Sequence, residues 1–254
     1  MKRAAFAALL DELLKPAAFS GDAAENGLQV EGRDDVVTVV CGVTANRALI
    51  DAATAVGADT IVVHHGLVWG GGIRRIDGWL KQRVQRLIAH DVNLFAYHLP
   101  LDAQPQFGNN AGLARALGVT STQPFGRYKG QYIALRGELA EPVTLAGLVA
   151  RARANVVDDG AVVHAFGDRQ KTLRTIGVCT GGAPDLLHEA VGLGLDVYVT
   201  GEVTEYVKAV AEESGTCFVG LGHHASERFG PRGLAEVLVA RGIDARFIDV
   251  ENPA

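Results

Sequence analysis

Thiols, aromatic side chains and excess positive charge are all scarce in this 254-residue chain. Its three cysteines, Cys41, Cys179 and Cys217, lie far apart and form no CxxC pair. Each sits in an apolar, strand-like run. That reads as a buried reduced thiol, leaves no basis for a disulfide framework, and is expected of a reducing cytoplasmic compartment. Lysine and arginine number 24 against 29 acidic residues, for a net charge of −5. A generic nucleic-acid or anionic-membrane binder would need a basic field, so both classes are disfavoured. No apolar stretch is long enough to span a bilayer. The start, Met1-Lys2-Arg3 followed by apolar residues, mimics a secretory signal, but Asp11 and Glu12 interrupt it and no small-residue cleavage site follows. Phe6, Leu9, Leu10, Leu13 and Leu14 instead mark one face of a helix stopped by Pro16.

What is abundant is alanine, valine, leucine and glycine, with 48% of residues hydrophobic and 31 glycines. This composition fits helices alternating with buried strands, in one large or two smaller domains. Residues 36–40 and 60–63 read as buried strands around a helix over 45–56. A helix over 80–89 leads to a strand over 93–97, and a helix over 110–117 stops at Gly118. The pattern predicts βαβ units on a largely parallel sheet. Near Pro124 the character changes. Strands are expected over 132–135 and 161–166, with a helix over 145–153 between them. Strand–helix alternation then resumes: strands at 175–179, 197–200, 217–219 and 246–248, helices at 185–191, 203–213 and 234–239. The stretch 40–65 aligns without gaps on 177–202, which reads as an ancient internal duplication. His64-His65 then corresponds to Gly201-Glu202, and two related lobes would face one cleft.

The eight histidines are concentrated at strand ends. One strand runs into His64-His65-Gly66, a second into His98-Leu99-Pro100-Leu101-Asp102, and a third into Gly222-His223-His224-Ala225-Ser226-Glu227. Ligands bind beyond the carboxyl ends of strands in open parallel sheets. Neighbouring histidines on a regular strand face opposite ways, but at a strand end beside Gly66 the backbone is free to turn. His223 and Glu227, four apart, share a helical face; His224 and Glu227, three apart, do nearly as well, and spacing alone does not choose. Three imidazoles and two carboxylates are too many for one open tetrahedral ion. They suit two ions roughly 3.5–4 Å apart bridged by a carboxylate. With no thiolate in the set, Zn, Fe, Mn, Ni and Co all remain open. His90, His164 and His188 read as capping or structural residues. Asn109 and Asn110 either contact a substrate or cap the helix they precede. Gly70-Gly71-Gly72 lacks the Lys-Ser/Thr of a P-loop, and Arg74-Arg75 reads better as a solvated loop than as a phosphate clamp.

At these residues the chain resembles the NIF-three-like dinuclear-metal-centre family, also known as GTP cyclohydrolase one type two homologues. The matching segments are Asn26-Gly27-Leu28-Gln29-Val30, Gly57-Ala58-Asp59 through His64-His65-Gly66, Tyr97 through Asp102, Gly108-Asn109-Asn110, Thr200-Gly201-Glu202, Gly222-His223-His224 through Glu227, and the ending Phe247 to Ala254. The resemblance implies an α/β protein with mixed sheets, two interlinked three-layer lobes and a metal cleft between them. With the change of character near Pro124, the lobes are expected as 1–124 plus 222–254, carrying the metal site, and 125–221. It implies that His64, His65, Asp102, His223 and Glu227 bind two divalent ions (Fe, Zn or Mn), with Glu227 a bridge. It places His98 beside them, as ligand or neighbour. It further implies a toroidal homohexamer.

The expected function is a metal-dependent hydrolase, in the resemblance's terms one opening the ring of GTP or a related nucleotide, with His98 or His224 transferring protons. A metal carrier, a metallocentre assembly factor and a hexameric interaction scaffold are the alternatives.

Overall fold

The alternation of apolar β-branched runs with amphipathic segments yields the following elements in the computed structural model, which describes residues 1–73, 75–158 and 160–254. The first part of the chain forms α1 (Arg3–Leu14), β1 (Gly27–Val30), β2 (Thr38–Thr44), α2 (Arg47–Ala55), β3 (Thr60–His65), α3 (Gly78–Ala89), β4 (Asn93–Ala96) and α4 (Leu99–Asp102). There follow α5 (Asn109–Ala116), β5 (Val119–Tyr128), β6 (Gln131–Thr144), α6 (Leu145–Asn155), β7 (His164–Phe166), β8 (Thr172–Val178) and α7 (Leu187–Gly192). The last part forms β9 (Val197–Thr200), α8 (Val207–Ser214), β10 (Cys217–Gly220), α9 (His223–Ser226), α10 (Phe229–Ala240) and β11 (Asp244–Phe247). None of the helices described is long and apolar enough to cross a membrane.

The described residues divide into two compact units, Met1–Gly108 with Gly230–Glu251, and Asn109–Phe229 with Asn252–Ala254. The divisions fall at 108/109 and 229/230. The reason is packing: Leu113 of α5, Leu117 just after it, Val119 of β5 and Ala225 of α9 all belong to the core of the second unit. His223 and Glu227 lie in the second unit.

In the first unit the sheet order is β1-β4-β3-β2-β11, and all neighbours are parallel except the edge strand β1. Period-two alternation sends successive side chains to opposite faces. Cys41, Val62 and Phe95 meet Phe6 and Leu10 of α1 and Leu234 and Leu238 of α10 on one face. Val40, Ile61 and Leu94 meet Leu49 and Ile50 of α2 and Leu87 of α3 on the other. Helix α1 ends where Lys15 takes a left-handed conformation (φ 52°) before Pro16. Helix α2 is capped by Asn46, whose side chain accepts from the Leu49 N–H at 2.8 Å.

The second unit has the order β5-β6-β8-β9-β10-β7, parallel through β8, β9 and β10 and antiparallel elsewhere. Helices α5 and α6 cover Ile176, Val197 and Val219 on one face; α7 and α8 cover Tyr198 and Phe218 on the other. Each unit is thus a three-layer helix–sheet–helix arrangement around a mixed sheet.

The two units share a local construction at the 137-residue offset seen in the sequence. The β2–β3 register pairs Val39↔Thr60, Val40↔Ile61 and Cys41↔Val62; the β8–β9 register pairs Ile176↔Val197, Gly177↔Tyr198 and Val178↔Val199. Asp59 Oδ2 accepts from the N–H groups of Val37 and Thr38 at 2.9 Å each. Asp196 Oδ2 accepts from those of Arg174 and Thr175 at 2.9 and 3.0 Å. Gly57 and Gly194 turn the chain out of the preceding helix with φ of 74° and 66°, a conformation glycine adopts without strain.

Candidate metal centre

Strand β3 is buried from Thr60 to His64, and its apolar run holds the following imidazoles at the carboxyl end of the parallel sheet. One donor nitrogen from each of His64, His65 and His98 lies within 4.8 Å of the others. Their ring centroids are 4.4 Å (His64–His65), 5.0 Å (His64–His98) and 5.7 Å (His65–His98) apart. His64 is fully buried, and its Nδ1 lies 3.2 Å from the Tyr97 carbonyl oxygen. A carbonyl only accepts, so this contact fixes the proton on Nδ1 and leaves Nε2 to face Asp102, whose Oδ1 is 3.5 Å away. His65 Nδ1 meets the Thr44 hydroxyl at 3.3 Å, across the β2–β3 ladder. His98 Nδ1 meets Asp22 Oδ1 at 2.8 Å. Asp102 is buried in the short helix α4, which opens with Pro100.

In the second unit, Gly222 (φ 94°) turns the chain out of β10 and into α9. His223 Nε2 lies 3.1 Å from Oε2 of Glu227, four residues on. His223 Nδ1 is 2.6 Å from Glu202 Oε1, at the end of β9. Burial disfavours the charged imidazole, but the hydrogen bonds and charges of Glu227 and then Glu202 outweigh it and raise His223 to about 9. Glu227 is almost fully buried. A Cβ at Gly181 would run into its carboxylate, which explains a glycine there (φ 69°). His224 is buried, and its backbone N–H donates to the Ala254 carbonyl at 2.8 Å.

The same pattern recurs at four histidines. In His64, His65, His98 and His223 the Nδ1 atom faces a carbonyl, a hydroxyl, a carboxylate and a carboxylate respectively. Metal-ligating histidines are oriented in this way, with the second nitrogen left for the ion. Together with carboxylates and without thiolates, the donor set fits a borderline or hard divalent cation such as Zn, Fe or Mn. In the first unit, His64, His65 and His98 form a group that could hold a metal ion.

The remaining sequence candidates have other surroundings. His90 caps α3 and its carbonyl accepts from Arg33; His188 stacks on Tyr206 at the surface; His164 lies exposed in β7. Asn110 is buried, with its amide donating to the Ile133 carbonyl and its oxygen accepting from the Thr180 N–H. These backbone bonds favour a structural role over substrate contact. Arg75 is exposed, and Arg74 falls outside the described residues.

Sequence reasoning assigned no role to four residues that shape the site. Asp22 and Asn26 hold His98, and Glu202 holds His223. Gln29 accepts through Oε1 from the N–H groups of Leu67 and Val68 at 2.7 and 3.2 Å, which fixes the loop that follows His65. The internal alignment of Glu202 with His65 and the matching segment Thr200-Gly201-Glu202 were the available signals for Glu202; Asp22 carried none.

The Duf34/NIF3 (NGG1p interacting factor 3) profile matches residues 1–253. The chain belongs to the Duf34/NIF3 family. Among curated Duf34/NIF3 relatives, a "GTP cyclohydrolase 1 type 2 homolog" of Neisseria meningitidis serogroup B is 41% identical over 96% of each chain. A protein of the same name from Escherichia coli K12 is 41% identical over 100% of both. The solved structure of "protein ybgI, unknown function" superposes with a TM-score of 0.93 at 41% identity, covering 100% of both chains. TTHA1606 from Thermus thermophilus gives 0.86 at 32% identity over 100% of this chain and 99% of that one.

Proposed function

We propose that this Duf34/NIF3 protein is a dinuclear metal-dependent hydrolase, in which His64, His65, Asp102, His223 and Glu227 hold two divalent ions and Glu227 bridges them. The observation that carries the reading is the orientation of the imidazoles: the Nδ1 atoms of His64 and His223 face a carbonyl and a carboxylate, so these ring positions are set before any ion arrives. A bound pair of divalent cations would lower the pKa of water and polarise a substrate oxygen or C=N group. The chain's own residues supply the rest. Asp102 and Glu227, both buried, offset the cationic charge. His98 and His224 are the candidates for moving a proton to or from the substrate. The relatives' name points to ring-opening of GTP or a related nucleotide as the reaction to test first. We further propose a homohexamer in the cytoplasm, the latter in keeping with three buried cysteines in no disulfide.

The metal claim is tested by elemental analysis. Glu227→Gln and His64→Ala should each lower bound metal, and His90→Ala should leave it unchanged. Near wild-type content in both site variants would remove the proposal. Catalysis is tested by screening nucleotides, phosphoesters and cyclic amides against protein loaded with Mn, Zn or Fe. Retained metal without turnover on any of them would favour a carrier or assembly factor.

A further inference from the structure

The antiparallel edge strand of the first unit brings an unassigned carboxylate to the site. Strand β1 pairs Gly27 with Ala96, which sets the loop before β1 beside the chain where it leaves β4. Asp22 in that loop has a nearly fully buried side chain, 2% exposed. Its Oδ1 accepts from His98 Nδ1 (2.8 Å) and the Ala24 N–H (3.1 Å); its Oδ2 accepts from the Asn26 amide (3.0 Å) and the Leu99 N–H (3.0 Å). Asn26 Oδ1 in turn accepts from the His98 backbone N–H at 2.8 Å. Ring and backbone of His98 are therefore held by one loop. A carboxylate that also accepts from backbone N–H groups stays an acceptor, so the neutral imidazole beside it carries its proton on Nδ1.

We propose that Asp22 is a positioning residue that locks His98 as the Nδ1–H tautomer, so that its Nε2 lone pair joins the donors of His64 and His65 as a third imidazole ligand. This rests on the metal reading above; it moves His98 from the proton-transfer candidates to the ligand set and leaves His224 as the candidate for proton transfer. Asparagine at position 22 has one acceptor oxygen for four donors. Its NH₂ group must face either the Leu99 N–H or the ring, and facing the ring it favours the opposite tautomer.

Two measurements decide the matter. The first is long-range nitrogen–proton NMR of the His98 ring in metal-free protein at mildly alkaline pH. The wild type should show Nδ1–H and a bare Nε2, and Asp22→Asn should shift the ring toward Nε2–H. A wild-type ring protonated on Nε2 overturns the proposal even if the variant does not fold. The second is metal affinity by competition with a chromophoric chelator, with cobalt as an optical probe. Asp22→Asn should weaken binding by about 10- to 100-fold and alter the cobalt spectrum, as expected for loss of a partner that orients a ligand. His98→Ala should weaken it at least as much. A changed tautomer with unchanged affinity and spectrum makes the clamp merely structural and also overturns the proposal. Because the tautomer is read without metal, that result is independent of whether Glu227→Gln and His64→Ala lose metal.

Discussion

At the residue scale, a small set of polar side chains converts an ordinary sheet end into a set of aimed donors. Gly66 illustrates how little room is left: a Cβ there would overlap Gln29 Oε1 and the Ala96 methyl. Gly66→Ala should therefore cost about 1–3 kcal/mol in urea unfolding, as overpacking does. Gln29→Ala should cost about the same, since it strips an acceptor from the Leu67 and Val68 N–H groups. The double variant should lose less than the sum, because one of the two obstacles is gone. Strict additivity would mean that the two residues do not meet. His223 gives a second check at this scale. Its partners Glu227 and Glu202 raise it to about 9. Glu202→Gln removes one negative charge, so NMR titration of the metal-free variant should find His223 lower than in the wild type, and an unchanged value would remove Glu202 as a partner.

At the element scale, the repeated strand–helix–strand piece depends on one aspartate in each unit. Asp59 is almost fully buried, and Asp196 is more open. Each receives two backbone N–H bonds from adjacent residues, at the start of β2 for Asp59 and within β8 for Asp196. Asp59→Ala and Asp196→Ala should each destabilise by about 1–3 kcal/mol in urea unfolding, with Asp59 the larger. Burial would raise the Asp196 carboxyl, but the hydrogen bonds from Thr175 and Arg174 and the charge of Lys171 outweigh it, so its pKa is lowered on folding. A group depressed in the folded state stabilises above its unfolded pKa and loses that contribution as pH falls through the folded one. The stability difference between wild type and Asp196→Ala should thus shrink on acidification below the ordinary carboxylate range. Elements of this kind were legible in the sequence. Strands β2, β3 and β9 are apolar β-branched runs buried on both faces, and the 137-residue offset pointed to the shared local construction. Strand β1 was not legible, because it is a four-residue edge. Nor was β5, where Thr120 to Pro124 are polar and exposed and a proline interrupts the pattern. The histidine and carboxylate clusters were visible as strand-end motifs. Asp22 was not, because a lone aspartate in a loop looks the same whether it faces solvent or a buried imidazole.

At the scale of the whole molecule, the protonation of the chain and its metal content are linked. The chain carries a net charge of −5, so cations meet no general repulsion. At the proposed centre, however, His223 is raised to about 9 in the metal-free protein, and it must lose a proton before Nε2 can bind an ion. Two consequences have opposite signs. For the metal-free fold, a pKa raised from 6.5 contributes stability that is fully present below about 6.5 and is lost as pH climbs through about 9. For the metal-loaded fold, the competing proton weakens binding at neutral pH, so affinity should rise from neutrality and level off near 9. Metal binding stabilises the native state by mass action, so the gap between the unfolding midpoints of loaded and metal-free protein should widen over the same range. Calorimetric titration of Zn or Mn in buffers of different ionisation enthalpy reads the proton released on binding. At neutral pH the wild type should release about one proton that His223→Ala does not, and the difference should vanish as the pH passes 9. Equal release by the two proteins would mean that the ion does not displace the His223 proton, and would remove this imidazole from the ligand set.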